Sequence, residues 1–306
     1  MIVIGECIHI VSKQVKTAIE NKDKRFIQEL ALRQAEKGAN YLDLNIGPQR
    51  RGGPEVMTWM VDTVQEVTDT SLSLDTTNRE AMEAGLARCK VRPLVNSTDA
   101  TPERLAAMMP LAAKYNANII ALTLAGSGLP SSADARVQLA LEAIVPAALE
   151  NGVNMADIFL DPLVLTINGN QDQVQPTIEA MRFFKLMSDP PPLTTCGLSN
   201  ISSGAPPHLR PLLHRVFLPM MRGAGLDSAI CDPLDDELMA VRRILETRDA
   251  STAKGRLYLS IYDSYAAGQT ADISSVDTSD PELRDIVKTI EVLENKWIYA
   301  HSYLQT

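Results

Sequence analysis

Carboxylate and primary amide side chains recur where short apolar stretches of this chain end, and they are its best candidates for chemistry. Eight residues share this position: Glu6, Asp43, Asn45, Asp75, Asn96, Asp161, Asn200 and Asp232. Carboxylates accept hydrogen bonds from amino and ring N–H groups, whereas amides both donate and accept them. The set contains no lysine, and the nearest imidazole is that of His9. These side chains are therefore suited to hold a neutral heterocycle rich in N–H groups and ring nitrogens.

Helix capping is the main alternative role, because aspartate and asparagine are common N-caps. The stretch "SLSLDTTN" (71–78) ends an apolar alternation in Asp75, where the chain turns into a helix. Thr77 and Glu80 form a T-x-x-E capping box for that helix, which frees Asp75 from capping. Two later helices have predicted caps downstream of the strand end: Thr101, and Asp235 or Asp236. The strand-end residues are thus predicted to face a site.

Three of these residues keep a structural alternative. Asp161 precedes Pro162, so its backbone favours extended geometry, and local Asx-type bonding is a second role open to it. Asp43 and Asn45 alternate within one predicted strand and could be buried polar residues with hydrogen-bond partners.

Eight short apolar stretches alternate with long amphipathic ones, which predicts eight β-α units. The strands are predicted at residues 2–6, 41–47, 72–77, 92–98, 118–124, 157–163, 193–200 and 228–233. Helical periodicity covers intervening stretches such as 25–39, 54–68 and 135–152. This pattern indicates an α/β fold, a (β/α)8 TIM barrel, with a doubly wound open sheet as the alternative. In a barrel, the C-terminal ends of the strands meet at one face, which would bring the polar residues together.

The chain changes character near residue 268. Residues 268–285 are polar and turn-rich, and residues 285–304 read as an amphipathic helix. We predict one barrel domain over residues 1–267 and a C-terminal extension over 268–306 that is not a separate domain. The extension is expected to pack on the barrel or on a partner subunit.

Metal binding is an alternative use of carboxylates at a barrel mouth, since Mg²⁺ and Mn²⁺ prefer oxygen ligands. Here the carboxylates alternate with amides, and no histidine pair has ligand spacing. Cys7, Cys196 and Cys231 fall on strands one, seven and eight, so a thiolate zinc site is a further alternative. Free cysteine is more often a small buried hydrophobe, and we expect no metal to be bound.

Composition excludes several classes of protein. The chain has 306 residues, 45% of them hydrophobic, and a net charge of −9, which argues against general nucleic-acid or anionic-membrane surfaces. Its four cysteines form no C-x-x-C pair, and no signal peptide precedes the first predicted strand. No apolar stretch approaches the ~20 residues of a membrane helix. A cytoplasmic protein with reduced thiols is expected.

The strand-end motifs resemble those of the pterin-binding barrel family, and within it the methyltetrahydrofolate:corrinoid protein methyltransferases. The resemblance covers roughly residues 1–265. It depends on the order of seven short motifs at strand ends: "IGE" (4–6), "LDLNIGP" (42–48), "SLDTTN" (73–78), "VNST" (95–98), "DPL" (161–163), "GLSNIS" (197–202) and "LDSAICDP" (226–233).

The resemblance implies a substrate, a partner and residue roles. Asp75, Asn96 and Asp161 match positions that bind the pterin ring, and Asn200 matches the residue that approaches N5, which carries the methyl group. Glu6, Asp43 and Asn45 match other pocket residues. The implied substrate is 5-methyltetrahydrofolate or tetrahydrofolate, and the nucleophile is the cob(I)alamin of a separate corrinoid protein. The family also implies a homodimer. Asn200 and Asp75 are the predicted catalytic residues, with Asp75 organising the water that supplies the N5 proton.

Other activities and settings stay open at this point. Dihydropteroate synthases share the barrel, but they hold diphosphate with cationic residues where this chain has "GLSN" (197–200) and "ICDP" (230–233). A non-catalytic folate-binding protein and a metal-dependent barrel lyase are further alternatives. The loop 49–53, "QRRGG", departs from the family and would meet the folate tail or the partner, or lie solvated. The methyl group could move in an O-demethylase-type system or in acetogenic carbon fixation (the Wood-Ljungdahl route).

Overall fold

The computed structural model describes residues 1–49 and 51–305, and eight parallel strands form its centre. The strands are β1 (Ile2–His9), β2 (Tyr41–Asn45), β3 (Ser71–Asp75), β4 (Leu94–Thr98), β5 (Asn118–Leu122), β6 (Ile158–Asp161), β7 (Leu193–Thr194) and β8 (Ser228–Cys231). Their order in the sheet is β7-β6-β5-β4-β3-β2-β1-β8. A parallel bridge between Gly197 and Ile230 joins the end of the β7 segment to β8 and nearly closes the barrel. The predicted (β/α)8 barrel is therefore confirmed.

Helices cover the outside of the barrel between the strands. They are α1 (Lys13–Glu20), α2 (Lys24–Glu36), α3 (Gly53–Gln65), α4 (Arg79–Leu86), α5 (Pro102–Lys114), α6 (Ala133–Leu139), α7 (Val145–Glu150), α8 (Ile167–Asn170, one kinked turn), α9 (Val174–Phe184), α10 (Arg210–Gly223), α11 (Asp236–Thr247), α12 (Ala253–Ala266) and α13 (Pro281–Leu293). A π-helical turn at Ala140–Ile144 connects α6 to α7, so the helix predicted at 135–152 is one interrupted rod. Among the described residues, no helix has the length and apolarity needed to cross a membrane.

Side chains alternate along each strand between the helices and the barrel interior. Those facing the helices join the large core, in which Val3, Leu44 and Leu160 are fully buried. Those facing inward at the N-terminal half of the barrel form a separate group, which we call the inner cluster: Ile4, Leu94, Ile120 and Phe159. Leu122 and Ile230 pack against this cluster from above. The inner cluster therefore closes the barrel from below and leaves its C-terminal end open to polar residues.

Two predicted elements differ from the structure. β7 has only two residues, and the predicted strand 193–200 ends instead in a 3-10 turn, Leu198–Ser202. The C-terminal helix ends at Leu293 rather than near residue 304, because Asn295 adopts a left-handed φ of 58° and redirects the chain. Apolar periodicity alone does not reveal either backbone change.

The C-terminal segment is tied to the barrel by hydrogen bonds. Glu294 accepts from the backbone N–H of Ala271 at 2.7 Å and from the hydroxyl of Tyr265 at 3.1 Å. Gln171, in the connection after β6, donates to the carbonyl of Val292 at 2.7 Å. The extension thus lies against the barrel through polar anchors, while the domain boundary near residue 267 stays a prediction.

Candidate functional site

A cavity of about 610 Å³ lies at the C-terminal end of the barrel, and we call it the mouth cavity. Its lining includes all seven predicted site residues: Glu6, Asp43, Asn45, Asp75, Asn96, Asp161 and Asn200. Leu122 and Ile230 form its apolar floor above the inner cluster. Asp232, the remaining strand-end carboxylate, lies outside this lining, beside the thiol of Cys7. The structure thus brings together residues that are up to 194 positions apart in sequence, from Glu6 to Asn200.

Helix caps lie downstream of the strand ends, which leaves the strand-end residues free. The hydroxyl of Thr101 caps α5, and the carboxylate of Asp235 caps α11 through the N–H groups of Glu237 and Leu238. Both caps agree with the sequence predictions.

The predicted capping box at α4 is wrong in its residues. Asn78 is the cap, and its side chain accepts from the N–H of Ala81 at 3.0 Å. The hydroxyl of Thr76 donates to the carbonyl of Gly47 at 2.6 Å and accepts from the N–H of Asn78 at 3.1 Å, which starts the helix one residue later. Asp75 is still released from capping, as the prediction required.

Asp43 is the most connected carboxylate of the site. It is 4% exposed and accepts from the hydroxyl of Ser73 at 2.6 Å and from the amide of Asn96 at 2.9 Å. Burial raises the pKa of Asp43, although these two hydrogen bonds act in the opposite direction. Because the Asn96 amino group is engaged by Asp43, its carbonyl oxygen is left to accept from a ligand.

Asp75 receives a short hydrogen bond from the side-chain amide of Asn45. The oxygen of the Asn45 amide accepts from the backbone N–H of Gly47 at 3.0 Å, so this side chain is held at both ends and positions the Asp75 carboxyl. Burial is the main cause that raises the pKa of Asp75, and the negative charge of Asp43 adds to it.

Asp161 has one engaged oxygen and one without a hydrogen bond inside residues 1–49 and 51–305. The backbone N–H of Leu163 donates to its Oδ1 at 2.7 Å, which is the Asx-type bond considered from the sequence. Burial raises the pKa of Asp161 to about 7, while that hydrogen bond and the charge of Arg136 lower it. Arg136 is fully buried and bonds Thr177 at 2.7 Å. The local bond and a ligand contact are therefore compatible in this residue.

Glu6 lies on the opposite side of the cavity, on β1. The hydroxyl of Ser199 donates to its Oε2 at 2.9 Å. Burial raises the pKa of Glu6 to about 7, the hydrogen bond from Ser199 lowers it, and the charges of Asp232 and Asp43 raise it further. The cavity thus holds several carboxyl groups whose pKa is raised by burial.

Asn200 stands on the 3-10 turn rather than on a strand end, and its amide lies against the space that a Cβ atom on Gly197 would occupy. This turn is braced by residues that sequence reasoning missed. Ser202 lies 2.7 Å from Nε2 of His214, and burial lowers the pKa of His214 to about 4, which keeps the ring neutral. Arg210 also lines the cavity and adds a guanidinium to a mouth that the sequence indicated was anionic. His214 and Arg210 lie on α10, outside the strand-end motif that precedes this helix, so no motif marked them.

The structure bears on the metal-site alternatives that the sequence left open. The thiol of Cys7 donates to Asp232 at 3.1 Å, and burial raises the pKa of Cys7, Cys196 and Cys231, which disfavours thiolates. Among the described residues, no group of three or more His, Cys, Asp or Glu side chains is arranged to hold a metal ion.

In the loop 49–53, Arg50 lies outside the described residues, so its predicted contact with the folate tail or partner stays a prediction.

Sequence comparisons connect the chain to proteins of known activity. Residues 12–232 match the family model described as "Pterin binding enzyme". The chain is 32% identical over 244 residues to the methylcorrinoid:tetrahydrofolate methyltransferase of Eubacterium limosum, covering 78% of this chain and 88% of that protein. It is 33% identical over 240 residues to the methionine synthase of Mycobacterium tuberculosis (strain ATCC 25618 / H37Rv), covering 75% of this chain but only 20% of that protein.

Solved structures agree on the fold. Dihydropteroate synthase from Thermus thermophilus, in complex with 6HMPPP, aligns with a TM-score of 0.55 at 19% identity, covering 82% of this chain and 94% of that one. The Xanthomonas albilineans dihydropteroate synthase with 4-aminobenzoic acid aligns with a TM-score of 0.61 at 18% identity, covering 81% and 92%. At such identities the likeness shows the barrel fold alone.

Proposed function

The chain belongs to the family of pterin binding enzymes, and we propose that it moves a methyl group between N5 of a reduced folate and the cobalt of a corrinoid protein. The family membership confirms the resemblance carried by the strand-end motifs. The observation that supports this activity best is the 32% identity to a methylcorrinoid:tetrahydrofolate methyltransferase over most of both chains. That relative's name favours transfer from methylcorrinoid to tetrahydrofolate, as in O-demethylase-type systems, over the direction used in acetogenic carbon fixation.

The pterin ring is proposed to bind between Asp75, Asn96 and Asp161. The aminopyrimidine edge of a pterin presents N–H groups, which carboxylate and amide oxygens accept. Within the described part of the chain, neither the carbonyl oxygen of Asn96 nor Oδ2 of Asp161 takes part in a hydrogen bond, so both are suited to this task. Asn45 and Asp43 act behind them: the former fixes Asp75 and the latter orients the Asn96 amide. The cavity of about 610 Å³ falls in the range of small-molecule sites.

Asn200 is proposed to donate a hydrogen bond to N5. In transfer to the corrinoid, the electron pair of cob(I)alamin attacks the methyl carbon, and the N5–CH3 bond breaks with its electrons left on N5. Protonation at N5 neutralises the developing negative charge and a hydrogen bond stabilises it, so this contact strengthens in the transition state. In the reverse direction the N5 lone pair takes the methyl group from methylcob(III)alamin, cob(I)alamin leaves, and N5 releases its proton.

The corrinoid is a substrate carried by a partner protein in this proposal. The open C-terminal face of the barrel is the side from which cobalt would reach N5. A homodimeric state and a cytoplasmic location are also proposed from the family, and sedimentation of the purified protein tests the first.

Spectroscopy of free cobalamin tests the proposed activity. The protein is mixed anaerobically with 5-methyltetrahydrofolate and cob(I)alamin, and the appearance of methylcobalamin is followed by absorbance. The reverse assay uses methylcobalamin and tetrahydrofolate. Methylcobalamin formation that requires the protein is expected. Folate binding without turnover in either direction would contradict the proposal and leave a non-catalytic folate-binding protein, and condensation of a pterin diphosphate with 4-aminobenzoate would instead indicate a dihydropteroate synthase.

A further inference from the structure

A second cavity opens beside the mouth cavity, and Glu6 and His9 line both. This side cavity, of about 380 Å³, lies between β1, the helices α1 and α2, and the segment after β8. Ser12, Gln14 and Asp232 contribute polar groups to its wall. Apolar side chains such as Phe26 and Leu30 complete its lining. Glu6 therefore stands in the partition between a chamber for the substrate and a second chamber with a mixed polar and apolar wall.

On the substrate side, Glu6 is connected to the turn that carries Asn200. The hydroxyl of Ser199 donates to Oε2 of Glu6 at 2.9 Å, and Ser199 directly precedes Asn200. Both Ser199 and Glu6 line the mouth cavity. A ring nitrogen that meets Asn200 thus shares the mouth cavity with a hydroxyl whose hydrogen-bond partner is this carboxyl group.

We propose that Glu6 carries the proton that N5 gains or loses, passing it through the Ser199 hydroxyl and exchanging it with solvent in the side cavity. This proposal deepens the methyl-transfer function proposed above and rests on it. When Glu6 is protonated, its carboxyl group donates to the Ser199 oxygen and the Ser199 hydroxyl turns to donate to N5, so donor and acceptor exchange relative to the hydrogen bond described above. As the N5–CH3 bond breaks, the Ser199 hydroxyl gives its proton to N5 and takes one from the Glu6 carboxyl, which becomes a carboxylate. In the reverse direction N5 returns a proton to Ser199, and Glu6 carboxylate takes up the Ser199 proton.

Position distinguishes Glu6 from the other carboxyl groups of the site. Asp43, Asp75 and Asp161 line the mouth cavity and not the side cavity, so a bound pterin ring would separate them from water. Glu6 also lines the side cavity, so it can still exchange a proton there when a ligand fills the mouth cavity. A general acid of this kind contributes about 10²–10⁴-fold when its pKa lies near the working pH.

The charges around Glu6 favour a carboxyl group that exchanges protons near neutrality. The titratable or charged groups facing it come from β1, β2, β8, α2 and the segments that follow β7 and β8: Cys7, His9, Asp43, Cys196, Cys231, Asp232, Glu29 and Arg33. Burial is the main cause that raises the pKa of Glu6 to about 7, and Asp232 contributes more than Asp43. Removing the charge of Asp232 is therefore expected to lower the pKa of Glu6.

Single-turnover pH profiles with 5-methyltetrahydrofolate and free cob(I)alamin test the proposal. The wild-type rate should fall as pH rises through an inflection near 7, because transfer in this direction needs protonated Glu6. Glu6→Gln preserves the acceptor for Ser199 and should lower the rate about 100-fold or more and remove the inflection. The Kd for 5-methyltetrahydrofolate should stay within about threefold. A Glu6→Gln protein with the wild-type rate and an unchanged inflection would overturn the assignment.

Asp232→Asn is the matched variant, since it changes a carboxylate of the side cavity that does not line the mouth cavity. It should keep the inflection and move it to lower pH, which a purely structural role of Glu6 would not produce. An inflection that does not move would contradict the proposal even if Glu6→Gln fails to fold, which thermal melting would reveal. Absence of methylcobalamin with the wild-type protein would instead contradict the proposed function itself.

Discussion

The two ends of the barrel interior are built from the same strands but differ in chemistry: the N-terminal end is apolar, and the C-terminal end carries carboxyl groups. On β1 the inward residues are Ile4 and then Glu6, and on β6 they are Phe159 and then Asp161. One step of the strand alternation, about 6.6 Å, separates an apolar side chain of the inner cluster from a carboxyl group of the mouth cavity. Buried apolar groups stabilise the fold, whereas buried carboxyl groups cost stability and acquire raised pKa values. The barrel therefore concentrates stability below and reactivity above.

Truncation of the inner cluster is expected to have the largest effect on folding. Phe159→Ala removes a side chain that is 1% exposed, and the free energy of unfolding should fall by about 3–5 kcal/mol. Urea unfolding measures this loss. Leu186→Ala, at a side chain that is 76% exposed, is the control and should change stability by less than about 0.5 kcal/mol. A Phe159→Ala protein as stable as wild type would mean that the inner cluster does not support the barrel.

Truncation at the other end should impair turnover and spare the fold. Asn200→Ala is expected to lower the single-turnover rate about 10²–10³-fold, because a donor to developing charge at N5 is lost. Folate affinity should change little, and stability should stay near wild type. Asn154→Ala removes an exposed amide at the N-terminal end of β6 and is the matched control. If Asn200→Ala kept both folate affinity and turnover, the N5 role would be wrong.

The cost of burying a carboxyl group can be read from the pH dependence of stability. Asp161 has a pKa near 7 in the folded protein, above the ordinary value near 4 that the unfolded chain retains. Between these pH values the unfolded chain releases a proton that the native state keeps, so native stability falls as pH rises. Asp161→Asn should remove this contribution, which is at most about 1.4 kcal/mol for each pH unit in that interval.

Urea unfolding of the wild-type and Asp161→Asn proteins at pH 5 and pH 7 measures the difference. The wild type should lose more stability than the variant over this interval. Equal losses would show that Asp161 does not keep its proton in the folded state, and the contrast between the two barrel ends would then depend on the remaining carboxyl groups.

Strand periodicity was enough to predict the fold and to group the strand-end residues that line the mouth cavity. Parallel strands place their C-terminal ends together, so Glu6, Asp75 and Asp161 could be grouped without coordinates. Helix-capping signals predicted Thr101 as one cap and Asp235 or Asp236 as another, and the structure has Thr101 and Asp235. Where regular strand geometry positions a residue, its type and its place in the β-α repeat were sufficient to predict where it lies.

The features that the sequence did not predict depend on backbone turns and long-range packing. Asn200 was assigned to a strand end but lies on a 3-10 turn, which hydrogen bonds within Gly197–Ser203 define. His214 and Arg210 reach the cavity from a helix whose pattern is simply amphipathic. The partition formed by Glu6 was also hidden, since it requires knowing that α1 and α2 leave space behind β1.

Substitution at the N-cap of α4 should have the smallest effect on stability. It tests whether capping by Asn78 leaves Asp75 free to line the mouth cavity. Asn78→Ala should destabilise the protein by about 1 kcal/mol, because the N–H of Ala81 loses its acceptor. Thr77→Ala, the matched control, should cost only a few tenths of a kcal/mol, since no side-chain bond from Thr77 to α4 exists in the described structure. Thermal melting of both variants, with folate affinity measured in parallel, makes the comparison.

If Thr77→Ala cost more stability than Asn78→Ala, the capping box predicted from the sequence would be correct after all. If Asn78→Ala also weakened folate binding strongly, the cap and Asp75 would be coupled, and helix capping would not be independent of the site above the inner cluster.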